Sequence, residues 1–195
     1  VARTLEFDYS KSTEKAMRLF WRLGYVAASS RELLAAMGIG EGSFYNTFKS
    51  KKNAYLESLK LYNATISRKR GEAFIAAPTG QLGIRALFKS VLDCLDDPDA
   101  PSRLCLMAAS ITREVMDEPD LRNYVQNEFA NVVKLVTERL SADKESGLLP
   151  PDFEPNLVAP IIVTYLQGVF RMALISYDRA DLDQQMNLFL TGLNL

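Results

Sequence analysis

The chain has 195 residues, 48% hydrophobic and 24% charged, the proportions of a globular protein long enough to bury a core without staples. It contains no histidine, and its two cysteines, Cys94 and Cys105, form no CxxC pair; this excludes Ser-His-Asp and Cys-His catalysis, His-ligated metals and a four-cysteine zinc site. The net charge of −1 hides an asymmetry: residues 1–70 hold 13 Lys+Arg against 6 Asp+Glu (+7), and residues 71–195 hold 10 against 18 (−8), a split that predicts one end facing nucleic acid or another anionic surface.

Helical periodicity runs through nearly every segment. Ala16, Leu19, Phe20 and Leu23 fall at i, i+3, i+4 and i+7, one face of an amphipathic helix. Ser10 or Ser12 is its expected cap and Gly24 its end. A short helix is predicted over Ser30–Met37, capped by Ser29 or Ser30 and broken by Gly38, and another over Glu41–Phe48. Ser50 caps a long helix, Lys51–Ala77, whose apolar residues Tyr55, Leu59, Tyr62 and Ile66 step by four, three and four. Pro78 and Gly80 stop it. Gln81–Leu95 forms a fifth helix, and Asp96 to Pro101 reads as a loop. Its aspartates lack the spacing and terminal Glu of a calcium loop.

A sixth helix is expected over Ser102–Met116. Pro119 opens a seventh with the stripe Leu121, Val125, Phe129, Val132, Val136 and Leu140. Three prolines break the chain between Gly147 and Pro155. Helices over Asn156–Tyr177 and Asp181–Leu193 complete an all-α fold of about nine helices, with no strand pattern. The stretch Leu157–Tyr177 is apolar enough to raise the question of a membrane span. Pro160, Thr164, Gln167, Gly168 and Arg171 within it argue for a helix buried against protein instead. No basic segment leads into a long apolar run at the start, so no signal peptide is expected and a reducing, cytoplasmic setting is.

The informative stretch is Ser30 to Lys52, SRELLAAMGIGEGSFYNTFKSKK. Two short helices joined by a tight turn make a helix-turn-helix, whose second helix can enter a DNA major groove. Gly38 permits a positive φ at the turn. Gly40 and Gly42 keep the start of the second helix slim. Ser43, Tyr45, Asn46 and Thr47 lie on that helix, Ser30 and Arg31 begin the one before, and Lys49, Lys51 and Lys52 surround the start of the next. Hydroxyls, lysines and helix N–H groups hold phosphates, and Asn pairs bidentately with adenine. The run Gly38 to Gly42 follows a helix and lacks G-x-G-x-x-G spacing, so it is no dinucleotide loop.

The pattern from Ser10 to Leu56 resembles the DNA-binding domain of TetR-family transcriptional regulators. The matching residues are Ala16, Leu19 and Phe20, then Gly24-Tyr25, Arg31-Glu32-Leu33 and Ala36-Met37-Gly38-Ile39. Most specific is the block Gly42 to Lys51, which resembles G-[ST]-[LF]-Y-x-x-F-x-[SN]-K; the lead Glu6-Phe7-Asp8 and the run Leu19-Phe20-Trp21 resemble a bacterial subgroup. The resemblance implies that Ser30 and Arg31 contact a phosphate or base edge. It places Gly42, Ser43, Tyr45 and Asn46 against DNA, with Tyr45 on a phosphate, and Lys51 as a phosphate anchor. Two residues depart from the pattern. Glu41 stands where a non-acidic residue is common, and repels phosphate unless it accepts from a cytosine N4. Ala28 stands where Thr is frequent, leaving the cap to Ser29 or Ser30.

The resemblance further implies a homodimer on a pseudo-palindromic double-stranded operator, a small-molecule effector, no cofactor, and domains 1–50 for DNA, 51–77 as a connecting helix and 78–195 for ligand and dimerisation. The eighth helix is apolar on more than one stripe and the ninth carries its own. Val158, Ile162, Tyr165, Val169, Leu182, Met186 and Phe189 are the expected dimer residues. Expected ligand-lining residues are Phe88, Leu92, Cys105, Met107, Ile111, Tyr124, Tyr165 and Phe170. Cys105, beside Arg103, is either a redox or electrophile-sensing thiol or a small core residue. The alternatives to a regulator are an all-α enzyme and a helical protein-binding adaptor. The basic first third and the Gly42–Lys51 block speak against both.

Overall fold

The computed structural model describes residues 8–195. Their helices are α1 Tyr9–Ala27, α2 Ser30–Met37, α3 Glu41–Phe48, α4 Lys51–Tyr62, a π-helical turn Asn63–Ser67, α5 Arg68–Ala76, α6 Gly80–Leu95, α7 Leu106–Ala109, α8 Arg113–Met116, α9 Pro119–Glu145, α10 Pro155–Met172 and α11 Arg179–Gly192. The fold is all-α, as expected, with more and shorter helices than nine. No helix among the described residues is long and apolar enough to cross a membrane. The described residues fall into two compact units: residues 8–65 with 105–125, and residues 66–104 with 126–195. Residues 105–125 pack with the N-terminal part.

In the first unit, Asp8 caps α1, accepting from the Lys11 backbone N–H at 3.1 Å. Ser10 and Ser12, the expected caps, lie inside the helix; Ser12 is buried and its hydroxyl donates to the Met37 carbonyl at 3.3 Å. Of the subgroup lead, Glu6 and Phe7 lie outside the described residues. Gly24 interrupts α1 as expected, at φ +80°, and one further turn reaches Ala27. The core is aromatic. Phe20 meets Tyr55 edge-on at 4.9 Å, and Trp21 meets Tyr62 in the same way at 4.9 Å.

The expected helix over Lys51–Ala77 is helical throughout but changes type. Its π-turn buries no residue, and within it the Thr65 hydroxyl donates to the Leu61 carbonyl at 2.7 Å. One extra residue per turn shifts the register, so Ile66, expected in the stripe, is half-exposed. The expected sixth helix breaks more completely. Ser102–Cys105 is not helical, and only α7 and α8 form. Ser110 turns its hydroxyl to the Leu106 carbonyl at 2.8 Å and to Tyr55, while Thr112 caps α8 through Val115 N–H. Short polar side chains that bond backbone locally compete with a continuing helix.

The second unit closes around α6. Asp143 on α9, 5% exposed, accepts from the backbone N–H groups of Gly80 and Gln81, each at 2.9 Å. Two of the N–H groups that a helix start leaves orphaned are thereby satisfied. A Cβ at Gly80 would meet the Arg139 carbonyl oxygen at 2.9 Å, so the approach of α9 needs glycine there. At the other end of α6, Arg179 reaches Asp93 at 2.7 Å and also pairs with Asp96, which accepts from the Tyr177 hydroxyl at 2.6 Å. Hydrogen bonds from Arg179 and Tyr177 hold the Asp93 and Asp96 carboxyls below the usual carboxylate range. Burial, then the Asp96 contact, pushes the Tyr177 hydroxyl up to about 12.

Candidate nucleic-acid interface

The helix-turn-helix is built from local signals. At the start of α2, the Ser29 hydroxyl accepts from the Glu32 N–H at 3.2 Å, and the Glu32 carboxylate accepts from the Ser29 N–H at 3.0 Å and from its hydroxyl at 2.7 Å. This reciprocal pair is a capping box, and of the two expected serines it selects Ser29. Those bonds hold the Glu32 carboxyl below its ordinary value. Gly38 ends α2 at φ +71°, its N–H returning to the Leu34 carbonyl at 3.0 Å. A side chain is strained at that φ.

Two kinds of residue alternate on α3. Phe44 and Phe48 are buried, 2% and 1% exposed, with rings 5.6 Å apart; Phe48 also stacks on Tyr9 at 5.3 Å. Leu33 and Met37 of α2 are buried as well. Glu41, Gly42, Ser43, Tyr45 and Asn46 are exposed, as are Ser30 and Arg31 on α2. Tyr45 is 47% exposed, its ring edge-on to the buried Phe44 at 5.3 Å. A Cβ at Gly42 would meet nothing within 4 Å, and its φ is unremarkable. No contact among the described residues requires glycine there. Glu41 sits in the first turn of α3, where a carboxylate complements the helix dipole.

The three lysines take different roles. Lys49 ends α3 at φ +65° and its Nζ donates to the Asn46 carbonyl at 2.6 Å. Lys52 pairs with Asp120 at 3.0 Å and Glu118 at 3.6 Å, which raises its pKa. Lys51, half-buried, donates to the Val26 carbonyl at 3.2 Å and lies 5.0 Å above the Tyr25 ring centre. Burial lowers its pKa, against the raising influence of Glu32. The bracing of Lys51 by Tyr25 carries no sequence signal beyond the Gly24-Tyr25 pair itself.

The expected ligand-lining residues divide between the units. In the second unit Phe88, Leu92 and Phe170 are buried, and Tyr165 stacks on Phe88 at 5.9 Å and on Phe189 at 3.8 Å. Burial raises the Tyr165 pKa. The Gln167 Oε1 on α10 is buried with no hydrogen-bond donor among the described residues. In the first unit Cys105 and Met107 are 6% exposed, Ile111 is exposed, and the Tyr124 hydroxyl accepts from Asn63 at 2.9 Å. The Tyr62 hydroxyl lies 3.4 Å from the Cys105 sulfur.

The expected dimer residues differ in exposure. Ile162, Val169 and Met186 are buried in the protomer, 0%, 4% and 2% exposed. Val158, Tyr165, Leu182 and Phe189 are partly covered. On these two helices and the segment between them, the exposed large apolar residues are Leu157, Ile161 and Met172 on α10, Leu174 and Ile175 after it, and Leu188 on α11.

Comparisons with known proteins converge on this arrangement. Residues 13–56 match the family described as bacterial regulatory proteins, tetR family. The chain is 25% identical over 190 residues to the HTH-type transcriptional repressor ComR of Escherichia coli (strain K12), covering 97% of this chain and 89% of that protein. It is 24% identical over 182 residues to the HTH-type transcriptional repressor DhaR of Mycobacterium sp. (strain GP1), covering 92% and 89%. Among solved structures, a cysteine mutant of the TetR family transcriptional regulator CifR, complexed with 26 bp double-strand operator DNA, superposes with a TM-score of 0.87 at 27% identity, covering 97% of this chain and 98% of that one. The buried Phe44 and Phe48, the capped α2, the turn at Gly38 and the exposed polar face of α3 all lie in the stretch that matches the tetR family, and along nearly its whole length the chain is similar to TetR-family DNA-binding transcriptional regulators.

Proposed function

We propose that this regulator is a repressor that binds a pseudo-palindromic operator as a homodimer and leaves it when an effector binds. The observation that carries the reading is the outer face of α3. Its exposed residues are small or polar, and Gly42 keeps an uncrowded backbone that no internal contact requires. Ser30, Arg31, Gly42, Ser43, Tyr45, Asn46 and Lys51 are the DNA contacts, and Glu41 reads a base edge or sets register by repelling phosphate. One short helix reads few base pairs, so a two-fold dimer is needed for a useful operator. The apolar stripe of α10 and α11 supplies its interface.

Effector binding draws on the apolar residues Phe88, Leu92, Tyr165 and Phe170, with the buried Gln167 oxygen as an acceptor for a donor group on the ligand. Cys105, Met107, Ile111 and Tyr124 belong to the other unit, where Cys105 offers a thiol to an oxidant or electrophile. A ligand shifts the equilibrium only by its differential affinity for the two states. The setting is the cytoplasm, where operator DNA is. Selection of duplex DNA from a random pool, followed by gel shift, tests the reading. Enrichment of a pseudo-palindrome whose binding is lost in Tyr45→Ala supports it, and absence of any enriched duplex defeats it.

A further inference from the structure

Among the proposed DNA contacts, Lys51 has an ammonium that is already engaged within the protein. The ammonium donates to the Val26 carbonyl at 3.2 Å and stands 5.0 Å from the Tyr25 ring centre. The Tyr25 ring packs against Tyr55, with centroids 4.8 Å apart and planes at 40°. Tyr55 is wholly buried, and its hydroxyl meets the Ser110 Oγ at 2.8 Å. Ser110 spends its own proton on the Leu106 carbonyl, so Tyr55 is the donor. A continuous set of contacts therefore joins the 106–110 segment to Lys51, all of it within the first unit.

An ammonium carries three donors. The Val26 carbonyl takes one and the face of the Tyr25 ring attracts the charge. At least one N–H is left for a phosphate oxygen. A lysine fixed before binding also avoids the entropy cost of ordering its long side chain on DNA. We propose that Tyr25, braced by the Tyr55–Ser110 hydrogen bond, is a positioning residue that sets the Lys51 ammonium for a DNA phosphate. The inference rests on the operator-binding reading above. It also gives the 106–110 segment influence over a DNA contact that it does not itself make.

The test uses the full chain and a selected operator duplex, with binding measured by fluorescence anisotropy from about 50 to about 200 mM salt. Lys51→Met should reduce the salt slope by about 0.9 per protomer. Tyr25→Leu should reduce it equally and weaken binding about threefold to tenfold at low salt. Tyr25→Phe, which keeps the ring, should behave as the parent. Ser110→Ala should give a smaller loss in the same direction. The double variant Lys51→Met with Tyr25→Leu should bind no worse than Lys51→Met alone. Melting curves establish that each variant is folded, a state that a salt slope does not report. The inference is overturned if the two losses add in full, if Tyr25→Leu keeps the parental slope while Lys51→Met lowers it, or if Ser110→Ala matches the parent. An unchanged slope in Lys51→Met overturns it at the phosphate itself, with operator binding intact. Failure of the parent protein to bind any selected duplex defeats the operator reading instead.

Discussion

Both α3 and α10 keep an uncovered face, and the two faces are chemical opposites. On α3 the exposed residues are Glu41, Gly42, Ser43, Tyr45 and Asn46. On α10 the exposed stripe runs Leu157, Ile161, Thr164, Gly168 and Met172, with Leu157 65% and Ile161 47% exposed. A face that meets a hydrated polyanion must offer donors and room. A face that meets a copy of itself is most stable when apolar, since burial from water is its driving force. On the proposed reading the same helical periodicity serves two kinds of partner, and only the outward residues tell them apart.

The comparison can be broken most forcefully at α10. Ile161→Asp combined with Leu157→Asp should abolish dimerisation, because each apolar side chain buried is worth about 1.5–3 kcal/mol and a buried charge costs more. Sedimentation should show monomers, with operator binding lost and helical circular dichroism kept. A dimer that persists would place the interface elsewhere.

Next comes the contrast between neighbours on α3. Phe44→Ala should cost about 3–5 kcal/mol in urea unfolding. Tyr45→Ala should stay within about 1 kcal/mol of the parent yet lose operator affinity. Equal destabilisation by both would mean that α3 has no outward-facing role.

A subtler result is expected at Gly42. Alanine has open space there and suits a helix, so Gly42→Ala should be neutral or raise stability by about 0.5 kcal/mol. It should still weaken operator binding about tenfold, a change of about 1.4 kcal/mol. Unaltered affinity would show that DNA does not approach this backbone.

The smallest effect concerns the second unit. Asp93 and Asp96 have depressed pKa values in the folded state, so their pairing with Arg179 stabilises above the unfolded carboxylate range and is lost as pH falls through the folded values. Melting temperatures of the parent and Arg179→Ala should differ slightly at neutral pH and converge below about pH 4. A gap that stays constant with pH would assign the effect to packing.

Where signals were local, the sequence was read almost to the residue. Ser29, Gly38 and Ser50 delimit α2 and α4 through side-chain caps and a positive φ, and the predicted spans of α2 and α3 match the observed ones. Long-range causes were invisible. The hydroxyl of Ser110, at the end of α7, meets that of Tyr55, 55 positions away. On α10, Ile161 and Ile162 are interchangeable on paper, yet one is exposed and the other fully buried. A helix apolar on most sides does not reveal which stripe its own chain covers. The role proposed for Lys51 comes from its place in the Gly42–Lys51 block, whereas its anchorage to Val26 and Tyr25 needs α1 folded beside it.

The corner where Asp143 meets Gly80 has a consequence for sequence drift. The carboxylate is useful only if α9 comes close, and α9 comes close only where position 80 lacks a side chain. Losing either residue removes the reason to keep the other. In relatives that retain this corner, the glycine and the aspartate, 63 positions apart, should be inherited as a pair and lost as a pair.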